Sequence, residues 1–487
     1  MSTPVQAAVA DQNAEQTGAD VQIDALGPDG PYRSRRRAPL SALSGAPVGE
    51  ISQVPALYVR RTLAAMRAAP VLPIAARLDA LDRAAELFAT ATIGGFDLDG
   101  YLQLVSTASG VPRAVVSVGV EWITDVLRSQ RHTMALARPN GAVDAWRDER
   151  TVAGSAVWTR RGDLFAVHAA GNTPAVHGLW PEALALGYKV VVRPSSREPY
   201  TAFRLVEALR QAGFPPATVT LLPTDHDVAD ILIHESDFAI VYGGQDVVDK
   251  YGAVPTVLTQ GPGRSKILVT ADVDWREKID IIADSVSHLG GTACTCTTAV
   301  LVEGDPEPLA AALAERLGRV PSLSPEHPDA ILTVQPVAAA RAVDSYLHQV
   351  AGDARALLGG DSIVDELPGG GAVLRPAVHL VDAARAPQLG VELPFPCVWV
   401  GPWSPADGVA PLRDTLVLTA MTTRADLIDA LLDEPSITNL YLGDHPTTWL
   451  RPGVPHDGYL AEHLMRTKGM IRSDVPRSTS EPVPPTD

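Results

Sequence analysis

Between residues 53 and 128 apolar positions recur at three- and four-residue spacing: Val59, Leu63 and Met66, then Leu78, Leu81, Ala84, Leu87 and Phe88. That spacing predicts helices that lay one face on a larger body. From about 142 to 161, Val143, Trp146, Val152, Val157 and Trp158 alternate among charges, which predicts an exposed two-stranded ribbon. Strand edges of that kind are hidden by pairing, so a subunit contact is expected there. Between 163 and 271 the period changes. Apolar runs at 164–168, 190–193, 219–222, 238–242, 257–259 and 267–270 predict strands, separated by predicted helices at 179–186, 201–212, 228–234 and 246–251. Phe203, Val206 and Leu209 mark the inner face of the second of these helices, and Gly213 with Pro215 ends it. Strands and helices alternating at such short intervals require right-handed crossovers and a mostly parallel sheet, which binds ligands beyond the carboxyl ends of its strands.

A second α/β region follows. Its predicted elements are a helix at 275–289, a strand at 299–302, a helix at 309–317, strands near Val398 and at 416–419, a helix at 425–432 and a strand at 440–442. Passages 320–329 and 368–371 are rich in proline and glycine and are expected to be loops. The expected organisation is a disordered tail at 1–25, N-terminal helices with a dinucleotide-binding domain at 26–265, a catalytic domain at 266–445 and a C-terminal return segment and tail at 446–487. A chain of 487 residues is too long for one simple core, in keeping with that division.

Composition narrows the classes of function. The chain is 46% hydrophobic and 20% charged, ordinary for a globular protein, and its net charge of −17 argues against nucleic acid or an anionic membrane as partner. The basic run at 33–37 is expected to be a solvated arm or a clamp on a neighbouring subunit. Three cysteines do not make a disulfide framework, the histidines show no HxxxH pair, and no apolar run approaches the roughly 18 residues of a membrane span. No signal-peptide pattern opens the chain, so a reducing cytoplasm and a metal-free protein are expected.

Candidate chemistry centres on His288-Leu-Gly-Gly-Thr-Ala-Cys294-Thr-Cys296, which lies between a predicted helix and a predicted strand. A nucleophilic thiol needs firm supports and small neighbours, and this stretch supplies both. Cysteines in such a place can equally be small apolar fillers, and packing is the first reading for Cys296. The expected carboxyl edge of the first sheet carries His168-Ala-Ala-Gly-Asn172, Arg193-Pro-Ser-Ser196, Tyr242-Gly-Gly244 and Gln260-Gly-Pro-Gly263.

Taken in order, Gly171-Asn172-Thr-Pro174, Val191-Val-Arg-Pro-Ser195, Ala212-Gly-Phe-Pro-Pro216 with Leu221-Leu-Pro223, Val241-Tyr-Gly-Gly244, Gln260-Gly-Pro-Gly263, Gly291-Thr-Ala-Cys294 and Glu392-Leu-Pro-Phe395-Pro396 resemble the aldehyde dehydrogenase superfamily over roughly residues 50–445. The stretch from His168 to Pro199 is most similar to the acyl-CoA reductase branch, the bioluminescence fatty acyl reductases. The resemblance implies a Rossmann-type parallel-sheet cofactor domain, an α/β catalytic domain, a small β oligomerisation ribbon, and a homodimer or homotetramer. It implies Cys294 as nucleophile and Asn172 as oxyanion donor. It also implies cofactor contacts at Arg193, Ser195, Ser196, Gly243, Gly244, Gln260 and Gly261, with Glu392 on the nicotinamide ribose and Phe395 near the ring.

Two departures from the family pattern change the expected chemistry. Gln260 stands where the family carries its general-base glutamate, and an amide cannot take a proton from water. Slow hydrolysis of an acyl-enzyme follows, with no acidic side chain expected beside the thiol, although Glu235, Asp246 or Glu392 could stand in. Ser196 stands where the family carries a carboxylate for the ribose hydroxyls, which with Arg193 nearby implies NADP(H) in preference to NAD(H). The implied function is reduction of an acyl thioester, carried by CoA or an acyl carrier protein, to an aldehyde. The rival readings are oxidation of an aldehyde by a relocated base, and a catalytically inactive scaffold.

Overall fold

The computed structural model describes residues 21–473. Two seven-stranded sheets form its framework. In the first, Val257–Gln260, Phe238–Tyr242, Leu164–His168, Lys189–Arg193 and Val219–Leu221 run parallel in that spatial order. All five residues of Leu164–His168 are buried, as expected for a strand covered on both faces. Chain order runs outward from Leu164–His168 to Val219–Leu221 and then resumes on the other side at Phe238–Tyr242. The carboxyl ends of Leu164–His168 and Phe238–Tyr242 therefore flank a topological switch point, where open sheets bind ligands. Helices Ala56–Ala68 and Ile74–Thr90 bury Val59, Leu63, Met66, Leu78, Leu81, Ala84 and Phe88, the stripe that the spacing predicts.

The second sheet has the order Arg355–Leu358, Ala377–Leu380, Cys397–Trp403, Thr297–Glu303, Ser265–Val269, Thr415–Met421 and Ile437–Leu442. It is parallel except for Arg355–Leu358 at one edge. The predicted long helix at 275–289 is broken into a 3-10 turn Trp275–Lys278, an α-helix Ile279–Ser287 and a second 3-10 turn His288–Gly291. The segment 320–390, which has no readable motif, contains helix Val337–Ala351 and three further strand pairings.

Several expectations are corrected. The tail expected at 1–25 lies outside the described residues only to residue 20; Val21–Ile23 pairs with Pro47–Ser52, and Ala25–Gly27 joins the first sheet antiparallel to Val219–Leu221. The ribbon is three-stranded, because Met465–Met470 returns to pair with Ser155–Arg160, which also carries Ala142–Val143. Pairing with a distant strand is invisible to local alternation. The basic run is not a free arm: Arg33 and Arg37 pair with Asp24, and Arg36 pairs with Asp225. No helix among the described residues is long and apolar enough to cross a membrane.

Candidate active site

Cys294 sits three residues before Thr297, where the next strand begins, on the loop after Ile279–Ser287. Backbone geometry fixes that loop. Gly290 and Gly291 have φ of 72° and 69°, and a Cβ on Gly291 would stand 2.4 Å from the nitrogen of Pro396. Gly263 is equally constrained, since a Cβ there would stand 1.9 Å from the carbonyl oxygen of Cys294. Leu289 and Arg264, on the two segments that meet here, both have φ of 48°, a left-handed conformation that costs a side-chain-bearing residue about 1 kcal/mol or more. The Ser265 hydroxyl donates to the Cys294 carbonyl over 3.0 Å. The thiol is thus held between the linker joining the two sheets and the turn that ends the preceding helix.

The carboxyl edge of the first sheet reaches this loop. Asn172, four residues beyond the end of Leu164–His168, donates through Nδ2 to the carbonyl of Thr292 over 3.1 Å. Tyr242 donates its hydroxyl to Val176 and lies within electrostatic reach of Cys294. Cys294 remains partly exposed, whereas Cys296 is buried and its Sγ donates to the carbonyl of His288 over 3.2 Å, a packing role.

Two residues that sequence reasoning misses complete the site. His456 approaches from the C-terminal segment, its Nε2 3.7 Å from the Sγ of Cys294. Asp457 follows, and its Oδ2 accepts from the Nε2 of Gln260 over 3.0 Å. The expectation that no acidic side chain stands beside the thiol is therefore overturned: both Asp457 and Glu392 act on it electrostatically. The segment Arg451-Pro-Gly-Val-Pro-His-Asp-Gly458 has the composition of a turn, and only tertiary placement brings it to the cysteine. Neither Glu235 nor Asp246 joins them: Glu235 pairs with Arg60, and Asp246 belongs to the first turn of Gln245–Tyr251.

Electrostatics leave both members of the thiol–imidazole contact neutral. Enclosure by protein, reinforced by the Glu392 and Asp457 carboxylates, pushes the Cys294 thiol up to about 12. Burial lowers the His456 imidazole below its ordinary value, partly opposed by Asp457. Glu392 is raised to about 6 by burial, and its Oε2 accepts from the backbone nitrogen of Arg264 over 2.7 Å.

Arg193, Ser195, Ser196, Gly243 and Gly244, five of the expected cofactor residues, lie at or just beyond the carboxyl ends of first-sheet strands. Arg193 ends its strand partly buried and donates from Nε to the Thr224 hydroxyl over 3.0 Å, so its guanidinium is anchored at the next loop. Ser195 accepts from the backbone of Arg197, Ser196 is exposed, and no carboxylate projects from this exposed turn because Glu198 is buried. A Cβ on Gly171 would stand 2.4 Å from the Ser195 hydroxyl, so the two turns at this edge meet closely. An edge with a cation, hydroxyls and glycine turns at Gly171 and Gly243-Gly244 fits a dinucleotide. Gln260 ends the strand Val257–Gln260, and Gly261 follows it at the head of the linker to the second sheet. Phe395 is buried in the core of the second sheet, with its backbone against Gly291, so it braces the cysteine loop rather than lining the cleft.

A family model for the aldehyde dehydrogenase family matches residues 44–388. The chain belongs to the aldehyde dehydrogenase family. Among relatives, malonate-semialdehyde dehydrogenase 1 of Geobacillus kaustophilus (strain HTA426) is 28% identical over 171 residues, 33% of this chain and 35% of the relative. Its namesake from Geobacillus thermodenitrificans (strain NG80-2) is 30% identical over 157 residues, 30% of this chain and 31% of the relative. The chain thus spans about a third of the length of the curated relatives it matches. Solved structures agree along nearly the whole length. Gamma-glutamyl-gamma-aminobutyraldehyde dehydrogenase from Burkholderia cenocepacia J2315 superposes with a TM-score of 0.78 at 19% identity, covering 95% of this chain and 99% of that one. The aldehyde dehydrogenase KauB from Pseudomonas aeruginosa gives 0.79 at 16% identity, covering 95% and 98%. These aldehyde dehydrogenases share the fold, with its parallel-sheet domains.

Proposed function

We propose that this aldehyde dehydrogenase oxidises an aldehyde through a covalent intermediate on Cys294, with a nicotinamide dinucleotide at the carboxyl edge of the first sheet. The observation that carries the reading is the meeting of a partly exposed thiol with a potential proton acceptor at 3.7 Å, beside the switch point of a dinucleotide-type sheet. The thiolate attacks the carbonyl carbon, and the carbonyl π electrons move to oxygen. Asn172 Nδ2, which rests on the Thr292 carbonyl, is available to hydrogen-bond that oxygen, a contact of the kind worth about 3 kcal/mol in the barrier. The bound dinucleotide supplies the hydride acceptor. The Gly263 and Gly291 contacts hold the sulfur in place while the substrate turns over.

The names of the relatives support an aldehyde as substrate, and one neighbour of similar fold, an indole-3-acetaldehyde dehydrogenase from P. syringae, was solved with NAD+. The exposed Ser196 beside Arg193 supports use of NADP+ as well. A second reading, the acyl-CoA reductase branch, draws on Gln260, whose amide cannot activate water. In that reading the acyl group leaves to CoA or a carrier thiol, and the enzyme runs toward aldehyde from a thioester with NADPH. The return strand Met465–Met470 and exposed Trp146 beside the ribbon support a homo-oligomer.

Purified protein is mixed with a panel of short and medium aldehydes and NAD+ or NADP+, with and without CoA. Reduced cofactor and free acid without CoA are the expected products. Reduced cofactor formed only when CoA is present, or acyl-CoA with NADPH yielding aldehyde while aldehydes alone give nothing, transfers the assignment to the second reading.

A further inference from the structure

We propose that His456 is the site's proton acceptor, first for the Cys294 thiol and then for the water that releases the acyl group. The inference deepens the reading above and rests on it in one respect, that Cys294 carries the acyl group.

Four observations converge on this imidazole. Its Nε2 is the nitrogen facing Sγ, at 3.7 Å, within reach for a hydrogen bond to sulfur. Its Nδ1 is buried and has no hydrogen-bond partner among the described residues, so no second contact fixes the ring in one protonation state. Its own backbone is pinned, because Asn439 donates from Nδ2 to the His456 carbonyl and also to that of Leu416. The next residue is tied down as well, by the Gln260–Asp457 hydrogen bond across the linker. The side chain is thus aimed at the sulfur by supports from both sheets, with one nitrogen left unused.

The charged and titratable groups around the contact set its direction. Glu392 and Asp457 face the thiol, Asp457 faces the imidazole, and the Tyr242 hydroxyl stands beside Cys294. Both carboxylates oppose a free thiolate, and Asp457 favours an imidazolium next to it. A proton moving from sulfur to Nε2 therefore leaves a cation among anions rather than another anion alone.

The steps balance as follows. His456 Nε2 takes the S–H proton, and the sulfur lone pair forms the C–S bond as the carbonyl π pair moves to oxygen. Once the carbonyl re-forms and its hydrogen has gone as hydride to the oxidised dinucleotide, the thioester stands on Cys294 and the imidazolium has returned its proton to solvent. Water then attacks the thioester carbon while Nε2 takes a water proton. The C–S bond breaks with its electrons on sulfur, which recovers the proton as thiol. Asp457 and Gln260 are positioning residues, acting through the segment that carries His456.

The test uses the full-length protein and two probes that need neither dinucleotide nor the natural aldehyde. Iodoacetamide labelling of Cys294, followed by peptide mass spectrometry from pH 5 to 10, should show an inflection below about pH 6.5 for the wild type, where the buried imidazole loses its proton. His456→Gln and His456→Asn should lose that inflection and label at pH 7 at least about tenfold more slowly. With p-nitrophenyl acetate as acyl donor, the wild type should turn over, and the variants should stop at an acetylated Cys294 or deacylate about 10²-fold more slowly. Variants that label and deacylate as the wild type does overturn the proposal. A wild-type labelling rate that climbs only with hydroxide to pH 10 overturns it without any variant. If the probes behave as expected but no aldehyde is oxidised, the thiol–imidazole pair stands and the assignment of the substrate fails instead.

Discussion

Gln260 and Asp457, 197 residues apart in the chain, are joined by a 3.0 Å hydrogen bond from the glutamine amide to the carboxylate. The bond ties the end of the first sheet's last strand to the C-terminal segment that faces the thiol. Gln260→Glu would set two carboxylates at this distance, and like charges so close cannot both ionise without strain. The expected outcome is release of segment 450–458 above about pH 6, seen as roughly tenfold faster limited proteolysis there, with near wild-type resistance at pH 5. Equal cleavage rates at both pH values would show that the bond is not what holds the segment.

Removing the sulfur tests the covalent route. Cys294→Ala should form no acyl adduct by intact-protein mass spectrometry and lose roughly 10³-fold or more in turnover, while dinucleotide affinity measured by fluorescence stays within about twofold. Cys296→Ala should leave the adduct and most of the activity intact, because that sulfur only donates to His288. Adduct formation in the first variant, or its loss in the second, would move the nucleophile to Cys296.

Asn172→Ala removes a donor that rests on the Thr292 carbonyl. Turnover should fall about 10²–10³-fold, with KM changed far less, because the lost hydrogen bond belongs to the oxyanion rather than to the bound aldehyde. A rise in KM at constant kcat would identify Asn172 as a binding residue.

Cofactor choice should answer to one exposed position. Ser196→Glu returns a carboxylate to the turn beside Arg193, where it would bond ribose hydroxyls and repel a 2′-phosphate. The ratio of kcat/KM for NADP+ over NAD+ should fall by about tenfold or more, roughly 1.4 kcal/mol of discrimination. An unchanged ratio would place the adenosine end away from this turn.

Buried Glu198 gives a stability prediction that is independent of catalysis. Its Oε1 accepts from the Thr201 backbone over 2.9 Å, its Oε2 is unpartnered, and burial raises it from 4.5 to about 7. The folded protein therefore holds this proton more tightly than the unfolded chain does. The stabilisation is complete below about pH 4.5 and is lost as pH rises through about 7. Glu198→Gln keeps the acceptor for Thr201 and removes the charge. The urea midpoint of the variant should gain on the wild type by the equivalent of about 1–3 kcal/mol between pH 5 and pH 8. A constant difference across that range would refute the assignment.

How much of this was legible beforehand depended on whether the signal was local. Leu164–His168, Phe238–Tyr242 and Ala425–Leu432 are found at their predicted bounds, because continuous apolar runs or one-faced helical spacing identify them without outside help. The loop carrying Cys294 and the Asn172 turn are likewise marked by small residues at element ends. The three-residue strands Val21–Ile23 and Ala25–Gly27 are too short for a period to show. Phe395 falls in a core rather than the cleft, since a motif position does not say which way a ring is buried. His456 and Asp457 lie in a proline- and glycine-bracketed stretch whose only local message is a turn, and their importance comes from packing against a loop 162 residues earlier in the chain.

That separation has a consequence for biosynthesis. The ribosome completes both sheets before it makes the segment that faces the sulfur, and the strand Met465–Met470 that returns to the ribbon comes later still. A nascent polypeptide halted before residue 450 would hold a folded thiol loop without its imidazole partner, and without the Asp457 carboxylate that opposes ionisation of the sulfur. Proton transfer through His456 would become possible only once residues 451–458 dock against that loop.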